Sequence, residues 1–321
     1  MLRSKTGLPM LNRKKFIRQA ALSTGALMAG PSILQAAEHL NPLKLTILHT
    51  NDTHSRIDPF PMDGGRNQGL GGVAARAELI DKIRQEEEHV LLLDAGDIFQ
   101  GTPYFNLYKG EPEIKAMAAM KYDACTIGNH DFDAGMENLA TQLTMHANFP
   151  MLVTNYDFTG TAMEHKTQPY KIFRKGKLKI GVFGVSIEGH GLIPDNLFGA
   201  TKYLDPIQKA NETAYALKKD KNCDMIVCLS HLGYQYKGSN KVSDEVLAKE
   251  TENIDLIIGG HTHTFFDNPV TYKSKKGDDV IVNQVGWAGI VLGRLDFEFS
   301  KFSGKNLTKN HNITVSQKTG G

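Results

Sequence analysis

Five apolar runs in this sequence each end in a cluster of side chains that bind cations, and that repeated junction restricts the fold more than any other feature. Leu45-Thr46-Ile47-Leu48 runs into Asn51-Asp52-Thr53-His54, and Val90-Leu91-Leu92-Leu93 runs into Asp94-Ala95-Gly96-Asp97. Asp123-Ala124-Cys125-Thr126-Ile127 leads to Gly128-Asn129-His130-Asp131-Phe132-Asp133. Later, Met225-Ile226-Val227-Cys228-Leu229 leads to Ser230-His231, and Leu256-Ile257-Ile258 to Gly259-Gly260-His261-Thr262-His263. Short continuous apolar runs bounded by turn residues read as buried strands. Open α/β sheets keep their sites beyond the carboxyl ends of such strands. Five strands delivering Asp, His and Asn to one edge therefore describe a site.

The segments between the runs complete an α/β pattern. Residues 73–83 carry apolar side chains at spacings of three and four, which predicts a helix. Residues 111–120, 133–146, 206–219 and 242–251 read the same way, while 58–72 and 98–110 read as loops. Strands that alternate with helices build right-handed βαβ units. Residues 170–174 and 178–185 flank Lys175-Gly176-Lys177 and predict a hairpin that feeds a second sheet, with 279–285 and 290–299 closing it. A chain of 321 residues with 40% hydrophobic content can bury one large core of this kind. The expectation is one α/β domain over 37–300, two sheets with helices outside, followed by a polar tail over 301–321 that frays.

The first 36 residues differ from the rest. They hold six basic residues (Arg3, Lys5, Arg13, Lys14, Lys15, Arg18) and no acid, followed by a short Ala/Gly-rich apolar stretch and small residues at Ala36-Ala37. A basic head, a short apolar middle and a small-residue cut site read as an export signal, and the middle is too short to span a bilayer. The head resembles a twin-arginine signal with Lys14 in place of the second Arg, so the predicted location is periplasmic or exported. Beyond it remain 31 basic against 35 acidic residues, a net charge of −4. That balance gives no electrostatic reason for nucleic-acid or membrane-surface binding. Cys125, Cys223 and Cys228 lie in or beside apolar runs and read as buried free thiols.

Asp52, His54, Asp97, Asn129, His231, His261 and His263 offer carboxylate oxygen, amide oxygen and imidazole nitrogen, the donor set of Mn, Fe, Co or Zn. The absence of thiolates disfavours a closed structural zinc site. Seven donors exceed the needs of one ion. Shared between two ions ~3.5–4 Å apart, they suit a site that grips both the attacking and the leaving oxygen of a displacement, with a metal-activated hydroxide as nucleophile. Taken alone, Asp52-Thr53-His54 reads more readily as a turn or cap, and His261-Thr262-His263 as ordinary strand alternation. The coincidence decides it: five of the twelve histidines fall within these clusters. His49 reads as core, and His39, His89, His146, His165, His190 and His311 as surface.

Asp52-Thr53-His54, Gly96-Asp97, Gly128-Asn129-His130-Asp131, His231 and Gly260-His261-Thr262-His263 together resemble the calcineurin-like metallophosphoesterase superfamily. Gly96-Asp97-Ile98-Phe99-Gln100-Gly101-Thr102 and Gly128-Asn129-His130-Asp131-Phe132-Asp133 are most similar to the catalytic domain of bacterial periplasmic 5'-nucleotidases. The resemblance implies a four-layer α/β sandwich of two sheets flanked by helices. It implies that Asp52, His54, Asp97 and His263 hold one divalent metal ion and Asp97, Asn129, His231 and His261 the other, with Asp97 bridging. His130 would then be the catalytic histidine, acting on phosphoryl oxygens or the leaving alkoxide, with Asp133 holding its ring charged. Asp133 reads equally as a helix cap. The implied activity is phosphomonoester hydrolysis of the 5'-nucleotidase type. A 2',3'-cyclic nucleotide phosphodiesterase and a sulfur-ester hydrolase are alternatives on the same scaffold. Relatives of this kind carry a further C-terminal nucleotide-binding domain. The expectation is that a separately encoded chain supplies it, or that local loops at 59–71 and 103–110 read the substrate, with no stable membrane anchor.

Overall fold

The computed structural model describes residues 42–239, 241–300 and 304–316. The predicted export signal lies outside them, and residues 44–298 with 307–316 form the compact unit on which everything below rests. The first half of the chain contains β1 (Leu43–Thr50), α1 (Val73–Glu86), β2 (Val90–Asp94), α2 (Pro103–Tyr108), α3 (Glu111–Ala119), β3 (Ala124–Cys125), α4 (Met136–His146), β4 (Met151–Leu152), β5 (Tyr156–Asp157) and β6 (Thr167–Gln168). The second half contains β7 (Tyr170–Lys175), β8 (Leu178–Ser186), α5 (Asp195–Phe198), β9 (Lys202–Tyr203), α6 (Pro206–Tyr215), β10 (Met225–His231), α7 (Asp244–Glu250), β11 (Leu256–Gly259), β12 (Val270–Lys273), β13 (Asp279–Asn283), β14 (Val291–Ser300) and β15 (Gly304–Thr314). One sheet runs β15-β14-β1-β2-β3-β4-β6 and the other β12-β13-β11-β10-β8-β7.

The neighbours β1, β2, β3, β4 and β6 are parallel, as are β8, β10, β11 and β13, while β7 and β12 pair antiparallel at the second sheet's edges. Parallel strands are buried on both faces, which is why they read as unbroken apolar runs. Leu48 and Leu92 pack with Ile80, Ile114 and Leu139 of α1, α3 and α4. Ile226 and Cys228 pack with Ala210, Ala214 and Leu247 of α6 and α7. The alternate residues Leu45, Ile47, Leu91, Leu93, Val227 and Leu229 are also fully buried. Each such side chain contributes roughly 1.5–3 kcal/mol. On that inner side, Asn283 of β13 donates to His49 of β1 at 2.8 Å, and Thr154 N–H donates to Gly184 O of β8 at 2.8 Å. The expected two-sheet α/β architecture with outer helices is the one observed, and Cys125, Cys223 and Cys228 are buried free thiols.

Three expectations are corrected. Residues 103–108 form α2 rather than loop, because Pro103 occupies the first helical turn, where its missing N–H costs nothing. β14 joins β1 in the first sheet instead of closing the second; alternation reveals that one face is buried, not which sheet buries it. Residues 304–316 are not a frayed tail: β15 is an edge strand, and Val315 is buried, donating to Ile290 O and accepting from Gly71 N–H at 2.8 Å each. An edge strand needs backbone partners more than apolar side chains, so a polar sequence conceals it.

Candidate functional site

The site forms where β1, β2, β3, β10 and β11 end, and its loops are clasped together by backbone. Asp52 N–H donates to Gly96 O at 2.9 Å and His54 N–H to Asp97 O at 3.1 Å, tying the loop after β1 to the loop after β2. The buried carboxylate of Asp131 accepts from Asp97 N–H (3.2 Å), Ile98 N–H (2.8 Å) and Gly128 N–H (2.8 Å), tying in the loop after β3. A Cβ at Gly128 would lie 2.2 Å from Asp97 Oδ1, so only glycine permits this approach. Asp52, His54, Asp97, His261 and His263 all adopt left-handed backbone, with φ of 49°, 46°, 56°, 69° and 52°. Such conformations are uncommon outside glycine and persist where surrounding structure enforces them, characteristically at functional sites.

The side chains form two groups, Asp52 with His54 and His263, and Asp97 with His231 and His261, each with donor atoms within 4.8 Å of one another. Asn129 Oδ1 lies 2.8 Å from His261 Nδ1. Asp97 Oδ2 is 3.0 Å from His231 Nε2 and 3.9 Å from His54 Nε2, so it faces both groups. His231 Nδ1 sits 2.7 Å from Ala95 O and His54 Nδ1 3.2 Å from Phe99 O. A carbonyl only accepts, so each ring carries its proton on Nδ1 and turns the Nε2 lone pair inward. Buried His231 Nε2 faces only the Asp97 carboxylate, and His54 Nε2 and His263 Nε2 are 3.0 Å apart. Lone pairs facing one another and a carboxylate fit a cation between them. The field of Asp97 and Asp52 favours positive charge in this cleft, whether a proton or a cation carries it. Burial disfavours charge on His231, yet Asp97 outweighs it and pushes the ring up to about 10. Burial would likewise raise Asp97, but His231 holds it below the usual carboxylate range. Burial and the neighbouring His231 push His261 down to about 4, leaving it a neutral donor.

His130 stands at the open side of this arrangement. Its N–H donates to Asp97 Oδ1 at 2.8 Å, and its ring Nδ1 lies 2.8 Å from Asp133 Oδ2. That hydrogen bond raises the ring above its ordinary value, against partial burial. Asp133 does not cap α4: the residue before that helix is Gly135 and no side chain caps it. His49 is buried as expected, and His190, exposed as expected, lines a cavity that opens against His261.

Sequence reasoning missed the segment after β13. Asn51 Nδ2 donates to Asp52 Oδ2 and to Gly286 O at 2.6 Å each, and its Oδ1 accepts from Val285 N–H at 2.9 Å. Gln284 Nε2 donates to Gly260 O at 2.6 Å, and Ala288 N–H to Asp52 O at 2.7 Å. Trp287 stacks on His263, ring centroids 5.9 Å apart and planes at 12°. The signal was present: Asn283-Gln284-Val285-Gly286 is a sixth junction at the end of an apolar strand, carrying amides in place of carboxylates.

The family described as calcineurin-like phosphoesterase matches residues 45–265. The chain is 35% identical over 311 residues to the 5'-nucleotidase of Vibrio cholerae, covering 89% of this chain and 54% of that protein. It is 33% identical over 299 residues to the snake venom 5'-nucleotidase of Crotalus adamanteus, covering 85% and 49% respectively. The solved 5'-nucleotidase precursor from Thermus thermophilus superimposes with a TM-score of 0.75 at 31% identity, covering 85% of this chain and 55% of that one. The chain thus spans about half the length of the curated relatives it matches.

Proposed function

The chain belongs to the calcineurin-like phosphoesterase family, and on that premise we propose that it hydrolyses phosphomonoesters, nucleoside 5'-monophosphates foremost, at the cleft between the two donor groups. The observation that carries this reading is Asp97, whose carboxylate faces both groups while accepting the His130 N–H. Two divalent ions (manganese, zinc, iron or cobalt), one on Asp52, His54, Asp97 and His263 and the other on Asp97, Asn129, His231 and His261, would supply a nucleophile at neutral pH and neutralise phosphoryl charge.

The remaining work falls to the chain's own groups. His130, kept towards its charged form by Asp133, offers an N–H to a phosphoryl oxygen and a proton to the departing alkoxide. The backbone clasp holds Asp52 and Asp97 in fixed register, so positioning is built in before substrate arrives. A cavity of about 370 Å³ walled by Ile187, Leu192, Tyr203, Leu232 and Val242 opens against His261 and gives an organic leaving group an apolar wall. The relatives' name, 5'-nucleotidase, supports a nucleoside as that group. The basic and apolar segment 1–36 supports an exported location; no helix among the described residues is long and apolar enough to cross a membrane.

The test is phosphate release from 5'-AMP and from a small aryl phosphate by the manganese-loaded chain, with a 2',3'-cyclic nucleotide alongside. AMP turnover equal to or above that of the aryl ester is expected. Turnover confined to the cyclic diester overturns the monoester reading.

A further inference from the structure

The imidazoles of the two donor groups are not held alike. His54 and His231 are each oriented by a backbone carbonyl at Nδ1. His261 is fixed twice, by its own N–H on Asp52 Oδ1 at 3.0 Å and by Asn129 Oδ1 at 2.8 Å from its ring. His263 is the exception. Its side chain is 40% exposed, and among the described residues its Nδ1 has no hydrogen-bond partner. What it has instead is the face of Trp287.

Resting on the two-cation reading above, we propose that Trp287 is a positioning residue: by stacking on His263 it fixes that ring towards Asp52 and His54, and so sets the affinity of one cation position without touching the other. An offset aromatic stack restricts ring rotation much as a hydrogen bond does, and its centroid separation lies in the favourable range. The indole is itself braced. Phe60 meets it edge-on at 5.8 Å and 78°, and the Arg56 guanidinium lies 4.0 Å over the Phe60 face. Its backbone is anchored on both sides, Gly286 N–H to Thr264 O at 2.9 Å and Ala288 N–H to Asp52 O at 2.7 Å, so the ring cannot drift relative to either partner of His263. The His231 ring is held by Ala95 O and the His261 ring by Asn129 Oδ1, and the indole's ring contacts among the described residues are with His263 and Phe60, which is why the effect stays on one position.

Trp287 is the one tryptophan in the sequence, so its emission reads this ligand without a label. The experiment is titration of the metal-stripped full chain with Mn²⁺, following tryptophan emission, together with stepwise Mn²⁺ affinities from competition with a chromophoric chelator. The same affinities are measured in Trp287→Ala, Trp287→Phe, His263→Ala and the Ala/Ala double variant, with Trp287→Leu covering the case in which alanine unfolds the loop. In wild type one of the two binding steps quenches the emission. Trp287→Ala or Trp287→Leu weakens that one step by about 10–100-fold, the scale of losing a ligand's outer partner. Trp287→Phe restores it to within about twofold, and adding Trp287→Ala to His263→Ala changes it by less than about twofold, because the two act on one element. Equal weakening of both steps, unchanged steps, or full multiplicative loss in the double variant overturns the proposal while leaving the two-cation reading intact. A wild-type chain that binds no Mn²⁺ overturns both.

Discussion

His130 and Asp133 are three positions apart, and the one-turn 3-10 helix His130–Phe132 converts that spacing into a hydrogen bond of 2.8 Å. The pair touches Asp97 through backbone rather than through the ring, so its chemistry is separable from the cation positions. His130→Asn is therefore expected to retain both metal equivalents while turnover falls about 10²–10⁴-fold, the usual yield of a general acid or electrostatic histidine. Metal content and kcat measured on one preparation decide it, and a variant within tenfold of wild type sinks the role. Asp133→Asn removes the carboxylate whose hydrogen bond raises the ring's affinity for a proton, and a fall of about tenfold is expected with KM little changed. At this scale the sequence was largely readable: carboxylates and imidazoles repeated at the ends of apolar strands gather chiefly where a cation holds them together. Asn51, Gln284 and Trp287 were not readable, because amides and an indole acquire a role only through what they contact in the folded chain.

The elements that deliver these groups are held by a glycine junction whose geometry allows one residue type. Gly96 sits at φ 88°, and a Cβ at Gly128 would meet Asp97 N at 2.4 Å and Asp97 Oδ1 at 2.2 Å. Gly128→Ala must push the loop carrying Asp97 away from the loop carrying Asn129. Displacements near one ångström at a reacting centre cost on the order of 10²-fold in rate. We expect that loss in kcat/KM with unchanged far-ultraviolet circular dichroism, since both glycines lie beyond the strands; an active Gly128→Ala variant contradicts the clasp. The parallel strands were legible as apolar runs buried on both faces. α2, the sheet membership of β14 and the edge strand β15 were not, since a proline-led helical turn and a polar edge strand owe their form to backbone partners rather than to side-chain pattern.

Across the whole molecule the site and the fold share one design, in which groups from the two sheets meet on the inner side. Asp52, His54, Asp97 and Asn129 follow strands of the first sheet, and His231, His261 and His263 follow strands of the second. A cation bound only by the folded chain stabilises it by about 2.7 kcal/mol at a hundredfold excess over Kd, so chelation is expected to lower Tm and Mn²⁺ to restore it. A second link between the sheets responds to pH. His49 of β1 is fully buried, its Nε2 accepts from Asn283 Nδ2 of β13, and its Nδ1 has no partner. Gly293 leaves the ring its space, since a Cβ there would lie 2.2 Å from Nε2. Burial pushes His49 down to about 3. The unfolded chain binds a proton there near pH 6.5 and the folded chain does not, so the stability it contributes is complete above that pH and is lost as pH falls from 6.5 towards 3. The slope is about 1.4 kcal/mol per pH unit over that window. Asp94, Asp131 and Asp244, raised by burial to about 7, 7 and 8, titrate with the opposite sign and together outweigh it in wild type. The comparison with His49→Gln cancels their contribution, because both proteins keep the carboxyls. Urea unfolding of the metal-free proteins at about pH 6.5, 5.5 and 4.5 should show the stability of wild type falling by about 1.4 kcal/mol per unit relative to that of the variant. Parallel pH profiles in the two proteins would mean that the ring becomes charged without leaving its place between the sheets.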